Sequence, residues 1–288
     1  MPGTAQTAQS LLDKATQRLR RAGIADATLD SETLLRHELG WDRARLVTSA
    51  REFVTPEAAA RFFSLVDQRA ARRPLQHLIG TQAFWRHDFL VTPDVLIPRP
   101  ETELLVEAAL ERLRATPHAR VADVGTGSGC IALSLAAELP ETEVHALDVS
   151  PAALAVARRN ASRLDLERVR FHEGDLLAPV SGHSFDAIVS NPPYVDRAEA
   201  ASLMPEVADH EPVLALFAPG ADAYGVYRRL IPQAYAALVP GGFLALEVGQ
   251  GMADTVAALC EAAGLPVEAV LADLQRIPRT VVARRPRL

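Results

Sequence analysis

From Pro100 onward the chain alternates two kinds of apolar run, and this alternation restricts its fold more than any other feature. "RVADVG", "EVHALDV", "RVRFHEG", "FDAIVSN", "GGFLALEVG" and "PVEAVLAD" are short and rich in β-branched residues, as strands in a sheet are. Between them, "CIALSLAAEL", "PAALAVARRNASRL" and "DAYGVYRRLIPQAYAAL" carry the spacing of helices. Strands that alternate with helices predict a parallel sheet covered on both faces. "RPETELLVEAALERL" precedes the first strand as a helix, with Pro100 in its first turn and Glu101 and Glu103 suited to an amino end. The final "RTVVARR" is expected as an edge strand added last.

Before residue 90 the pattern is different, and three segments there carry the helical period. "SLLDKATQRLRRAG", "ATLDSETLLRHELG" and "TPEAAARFFSLVDQRAARR" place apolar residues three and four apart. Asp30-Ser31 and Thr55-Pro56-Glu57 predict helix starts, and Gly23 and Gly40 predict stops. "PLQHLIGTQAFWRHDFLVTPDVLIP" mixes aromatic and β-branched residues with turn formers, as a short hairpin and linker would. The expected layout is a helical, substrate-docking domain over 1–85, a hairpin and linker over 86–98, and an α/β domain over 99–288. A chain of 288 residues exceeds the usual single domain of ~100–200, so two domains fit its length.

Other classes fall away on composition. No apolar run approaches the ~20 residues that span a bilayer, and "MPGTAQTAQSLLDKATQRLRRAG" lacks the apolar stretch of a signal peptide. A soluble, cytoplasmic protein with no membrane partner is expected. Cys130 and Cys260 have no paired spacing, and the eight histidines show no ligand pattern, so no metal is expected. Residues 1–90 carry 13 basic and 10 acidic side chains, and residues 91–288 carry 17 and 26. That asymmetry is too small to mark a nucleic-acid surface, and a solvated helical face explains it.

In a doubly wound sheet, ligands bind at the carboxyl ends of the strands. The first strand ends on "ADVGTGSGCIAL", where Gly125, Gly127 and Gly129 allow a sharp turn and close approach to the main chain. A dinucleotide fingerprint is GxGxxG; here its last position is Cys130, and the spacing is GxGxG. That spacing favours S-adenosylmethionine, which carries no pyrophosphate. Asp148 ends the second strand, where a carboxylate can accept from both ribose hydroxyls. In "EGDLL", Asp175 could meet an adenine amino group and Leu176 could pack on the ring. Cys130 reads as a small residue behind the loop, and His145, His172 and His183 as packing or surface residues.

"SNPPYV" ends the fourth strand on two prolines, which have no N–H to give a ladder. Pro192 and Pro193 stiffen the loop and turn main-chain carbonyls outward. The Asn191 amide oxygen and one such carbonyl can accept both hydrogens of a substrate NH₂ group, and Tyr194 can offer a stacking face. Because the sulfonium is a strong leaving group, geometry could supply much of the acceleration and no general base is assigned.

With these residues in view, "LIPRPETELLVE", "ADVGTGSGCIALSLA", "DAIVSNPPYV" and "LALEVGQG", together with "PLQHLIG", resemble the peptide-chain release factor glutamine methyltransferase family over most of the chain. The resemblance implies a Rossmann-like class I S-adenosylmethionine-dependent methyltransferase sheet with a small helical domain that helps dock the release factor. It implies methylation of the glutamine amide nitrogen in the Gly-Gly-Gln motif of release factors. It implies cofactor contacts at Gly125, Thr126, Gly127, Ser128, Gly129, Asp148 and Leu176, with Asn191 near the methyl donor. Asn191, Pro192, Pro193 and Tyr194 would hold the glutamine, and Arg99 and Glu101 would shape the methionine end of the pocket. Two positions depart from the family pattern: Arg276 stands between Asp273 and Arg279 where a glycine is expected, and Leu176 where an aromatic residue is frequent.

Three other readings share parts of this pattern. A ribosomal-protein glutamine methyltransferase needs the same clamp. A DNA adenine-N6 methyltransferase also needs it, but must extract its base, and the chain lacks a sizeable target-recognition domain or basic groove. No stable nucleic-acid partner is therefore expected. A protein that binds S-adenosylmethionine without catalysis has no use for an amide clamp.

Overall fold

A computed structural model describes residues 6–218, 220 and 222–287. The chain forms two compact units, Met1–Gly80 with Met204–His210, and Thr81–Leu203 with Glu211–Leu288.

The smaller unit contains α1 (Ala8–Arg21), α2 (Ala27–Leu39), α3 (Arg43–Thr48), α4 (Pro56–Ala70) and α5 (Leu75–Ile79), with two short paired strands, β1 (Gln6–Thr7) and β2 (Phe53–Val54). Its helices bury one stripe each, and Leu11, Leu19, Leu34, Leu35, Phe62 and Val66 form the centre. Helix α4 starts as its sequence predicts: the Thr55 hydroxyl accepts from the Ala58 amide, with Pro56 in the first turn. Gly40 ends α2 in the left-handed conformation, also as expected.

The expected start of α2 at Asp30-Ser31 is corrected: the helix begins one turn earlier, at Ala27. Both residues are instead spent on buried contacts. Ser31 Oγ donates to the Ala27 carbonyl, and Asp30 accepts from Arg69 Nε at 2.7 Å. Arg69 Nη1 and Arg72 Nη1 both donate to Glu206 of α9 (Pro205–Ala208), at 2.9 and 3.0 Å. A buried carboxylate needs such partners, and this need outweighs the local capping preference.

The larger unit opens with a hairpin, β3 (Thr81–Phe84) and β4 (His87–Leu90), whose Phe84 and Phe89 are fully buried. Helix α6 (Glu103–Leu113) follows, then β5 (Arg120–Val124), α7 (Cys130–Glu138), β6 (Glu143–Asp148), α8 (Pro151–Arg163), β7 (Arg170–Glu173) and β8 (Phe185–Ser190). After α10 (Val213–Leu216) come α11 (Gly225–Ala237), β9 (Leu238–Glu247), α12 (Ala253–Ala262), β10 (Val267–Ala272) and β11 (Pro278–Arg284). The sheet order is β10-β11-β9-β8-β5-β6-β7. Five strands are parallel, from β9 to β7, while β11 runs antiparallel to both of its neighbours.

The last strand is therefore not at the edge. β11 inserts between β9 and β10, and β10 takes the edge. The burial patterns give the reason. Val281, Val282 and Ala283 are wholly buried on successive positions, so both faces of β11 are covered, whereas β10 alternates half-buried and exposed residues.

Strand order reverses at β5, which lies between β6 and β8. That switch point opens a crevice at the carboxyl ends of these strands, beside the glycine loop, Asp148 and "NPPY". No helix among the described residues is long and apolar enough to cross a membrane.

Candidate active site

The crevice at the switch point is lined in part by Gly125, Thr126, Gly127, Ser128, Asp148 and Leu176, and by Asn191, Pro192 and Pro193. Residues at or beyond the ends of four strands, β5, β6, β7 and β8, thus converge on one cleft. Gly129 and Tyr194 do not line it.

The three glycines do different work. The amides of Gly125 and Thr126 both donate to the Leu147 carbonyl, at 2.8 and 2.9 Å, so the loop is pulled across the end of β6. At Gly127, φ is +55° and a Cβ would meet nothing within 4 Å, which leaves its main chain bare to the cleft. At Gly129, φ is +83° and a Cβ would come within 3.0 Å of Leu133 and 3.2 Å of Ala157. Gly127 leaves open space in the cleft; Gly129 lets α7 pack against α8.

Asp148 holds this loop as well as facing the cleft. Its Oδ2 accepts from the Gly127 amide and its Oδ1 from the Ser150 amide, both at 2.9 Å. Each oxygen keeps a second lone pair for a ligand. Burial raises its carboxyl pKa. A bare glycine turn beside a positioned carboxylate fits the ribose and methionine portions of S-adenosylmethionine. Leu176, at φ +50°, is half-buried in the wall. Asp175 also lines the cleft; it is exposed, and its Oδ2 is ion-paired with Arg229.

Below the glycine loop, Asp123 is wholly buried and accepts from Thr126 Oγ1 at 2.6 Å and from the Ala132 amide at 3.1 Å. Burial pushes its carboxyl up to about 7. The Cys130 thiol is likewise pushed up to about 12 by burial, which suits a packing residue and not a nucleophile. His145 and His172 stack in another part of the sheet, with 3.0 Å between ring nitrogens, and His145 meets Glu143 at 2.9 Å.

The "NPPY" loop leaves β8 through Ser190, whose Oγ donates to the Val124 carbonyl at 2.6 Å and ties the two strand ends together. Asn191 Nδ2 donates to Thr102 Oγ1 at 3.2 Å, and Thr102 and Asn191 both lie beside the Glu247 carboxylate and favour its charged form. With its nitrogen held by Thr102, Asn191 has its carbonyl oxygen without a partner among the described residues and available as an acceptor. The Tyr194 ring lies against Gly249, where an added Cβ would come within 3.0 Å of Cδ2. Burial pushes its phenol up to about 12, so it stays neutral.

Arg99 lines the cleft and is held by a buried carboxylate: its Nη2 donates to Glu211 Oε1 at 2.5 Å, while Glu211 Oε2 accepts from the Ile97 amide. Glu101 lies near Glu247 and does not line the cleft. Far along the chain, Asp273 accepts from the Gln275 and Ile277 amides and from Arg279 Nε. Arg276 sits in that turn at φ +65°, the conformation for which a glycine is expected.

Sequence reasoning missed Thr102, Asp123, Glu211 and Glu247. Only one signal was there to read: Asp123 and Glu247 are acids inside or at the end of otherwise apolar strands, where a charge needs a reason. Thr102 lies in the helical turn that opens α6 and Glu211 in an irregular stretch, and neither carries such a contrast.

Comparison with known proteins adds a second line. Residues 10–80 match the family described as PrmC N-terminal domain, and residues 100–209 the family described as methyltransferase small domain. The chain is 46% identical over 281 residues to a release factor glutamine methyltransferase of Moorella thermoacetica, covering 97% of this chain and 99% of that one. A protein of the same description from Deinococcus radiodurans is 47% identical over 277 residues, covering 96% and 98%. A methyltransferase crystal structure from Pyrococcus furiosus superposes with a TM-score of 0.55 at 20% identity, over 76% of this chain and 99% of that one. That last likeness concerns the fold alone.

Proposed function

Since the chain belongs to the release factor glutamine methyltransferase family, we propose that it methylates the side-chain amide nitrogen of the Gly-Gly-Gln glutamine in peptide chain release factors. Its cofactor is S-adenosylmethionine, and its larger unit is a Rossmann-like methyltransferase domain. The observation that carries the reading is the Asn191 amide, pinned by its nitrogen with its oxygen free, at the lip of a cleft that also holds the glycine loop.

Gly125 to Ser128 and Asp148 would hold the cofactor, with Leu176 against its base and Gly129 supporting the loop from behind. When bound, S-adenosylmethionine supplies an electrophilic methyl: the amide nitrogen pair forms the C–N bond, the C–S pair stays on sulfur, and one amide proton leaves to water. Asn191 Oδ1 and a Pro192 or Pro193 carbonyl would accept the two amide hydrogens and turn the nitrogen toward the methyl. Tyr194, whose ring packs against Gly249 outside the cleft lining, would back the loop. Holding reactants in this way can supply roughly 7–11 kcal/mol in favourable cases. Arg99, on the cleft wall, would offer its guanidinium to the carboxylate of the cofactor's methionine portion. The Met1–Gly80 unit would dock the body of the release factor, a role that fits work with translation termination in the cytoplasm.

The test is transfer of labelled methyl from S-adenosylmethionine to three acceptors: a release factor, a ribosomal protein and duplex DNA. Label in the release factor, lost when its Gly-Gly-Gln glutamine is replaced, is expected. Label confined to the ribosomal protein or to DNA would overturn the reading.

A further inference from the structure

Glu247 closes the innermost end of β9 and is 3% exposed. Its Oε2 has no hydrogen-bond partner among the described residues, while Thr102 and Asn191 lie beside the carboxylate and favour its charged form. Asn191 Nδ2 also donates to Thr102 Oγ1. The three side chains therefore cluster where the "NPPY" loop leaves β8, with Thr102 and Asn191 joined by a hydrogen bond. Glu247 itself does not line the cleft, whereas Thr102 and Asn191 do. Its main chain is fixed too, since Tyr227 Oη donates to the Glu247 carbonyl at 2.8 Å.

Burying a carboxylate this deeply with one oxygen unpartnered is costly, and a glutamine would sit beside the same two side chains without a charge. The charge matters because of what lies on the other side of Asn191. An amide whose N–H groups donate to an anion shifts electron density onto its carbonyl oxygen, and hydrogen bonds in series polarise one another. As a substrate amide nitrogen gives its pair to a methyl group, its N–H hydrogens become stronger donors. An acceptor made more negative then helps the transition state more than the ground state.

We propose that Glu247 is a positioning residue that acts through Asn191, and that its carboxylate charge is relayed along the Asn191 amide to the oxygen that accepts from the substrate. This rests on the reading of Asn191 as the substrate clamp.

The surroundings allow that charge to switch. Burial, opposed by Thr102, aided by Glu101 and opposed again by Arg279 of β11 and Asn191, brings the Glu247 carboxyl up to about 7. The other titratable groups that feel Glu247 are Tyr194 on the loop, Tyr227 on α11 and Cys130 on α7. Burial pushes both phenols and the thiol upward, so none of them ionises near neutrality. Asp123 also titrates near 7, and it contacts Thr126, on the far side of the glycine loop.

The sequence makes the test clean, because it holds only two asparagines, Asn160 and Asn191. Protein labelled with [15N]asparagine shows two side-chain amides by NMR. Asn160 is held by Leu90 and the Ser128 carbonyl and serves as the reference. In the wild type the Asn191 amide is expected to shift with pH around 7 while Asn160 stays still. In Glu247→Gln the Asn191 shift should vanish, and in Asp123→Asn it should persist.

In turnover with a release factor, Glu247→Gln should lower kcat roughly tenfold to hundredfold, the difference between a charged and a neutral partner, with the KM for S-adenosylmethionine unchanged. The wild-type kcat should fall as pH drops below about 7, and the variant should lose that limb. An Asn191 amide that ignores pH in the wild type, or titrates unchanged in Glu247→Gln, would overturn the proposal, as would a variant kcat within twofold of wild type. Should that variant not fold, Thr102→Val removes the hydroxyl shared by both partners and is expected to shrink the Asn191 shift; an undiminished shift counts against the relay. If no release factor is methylated at all, the functional reading falls by itself, and the amide titration still decides whether Glu247 governs Asn191.

Discussion

Replacing Asn191 by Ala removes a free acceptor and leaves Thr102 without one donor. The expected loss is about 2–4 kcal/mol of transition-state stabilisation, the scale of one preorganised catalytic hydrogen bond. S-adenosylmethionine affinity by calorimetry should change little, so a large fall in affinity with kcat intact would remove Asn191 from the clamp. Glu247 also leaves a mark on stability. Its carboxyl titrates near 7 when folded against 4.5 in the open chain, so the folded state binds the extra proton between those values. Its stabilising contribution is fully present below 4.5 and is lost as pH rises through 7. Glu247→Gln should therefore gain stability over the wild type at pH 8, by up to ~2–3 kcal/mol, and little at pH 4.5. Equal thermal shifts at both pH values would mean that this carboxyl is not buried as a charge.

At the scale of elements, the glycine loop separates two jobs that look alike in sequence. A Cβ at Gly127 would project into open cleft, while one at Gly129 would press on Leu133 and Ala157. Gly127→Ala is expected to cost only about 1 kcal/mol of fold stability from its positive φ, and to weaken S-adenosylmethionine binding at least tenfold. Gly129→Val should lower the melting temperature sharply, by the combined strain of φ +83° and overpacking, roughly 2–4 kcal/mol. Thermal melts and calorimetry on the two variants check the assignment, and a reversed order would exchange their roles. Both the glycine loop and "NPPY" are legible in the sequence, because glycine at odd spacing and a double proline after an apolar run have few other uses. The support behind them is not: Thr102 stands 89 residues before Asn191, and no local pattern ties the two.

At the scale of the whole molecule, chain order and compact units part company at one place. Met204–His210 groups with Met1–Gly80, and Glu206 there meets Arg69 and Arg72. Deleting residues 1–80 should leave a fragment that still binds S-adenosylmethionine, since every cleft residue named above lies in the larger unit. The same deletion strips Glu206 of both arginines and is expected to make 204–210 the first site of limited proteolysis. Methyl transfer to an intact release factor should fall at least tenfold further than transfer to a short Gly-Gly-Gln peptide. Equal losses on both acceptors would refute a docking role for the first unit.

The sequence alone determined the α/β alternation, the helical character of the first 80 residues, the glycine loop and the proline-stiffened loop. These are local properties: period, turn chemistry and main-chain freedom act over a few residues. Tertiary structure alone decided that β11 enters the sheet and β10 becomes its edge, because strand order is set by which faces find cover and not by order in the chain. It decided that Asp30 and Ser31 lie inside α2, since Arg69 offered the buried carboxylate a better partner than a helix start did. It also decided the fate of the buried acids. Asp123 and Glu247 read in sequence as strand residues, and only a desolvated position beside a cleft shifts such a carboxyl to near 7.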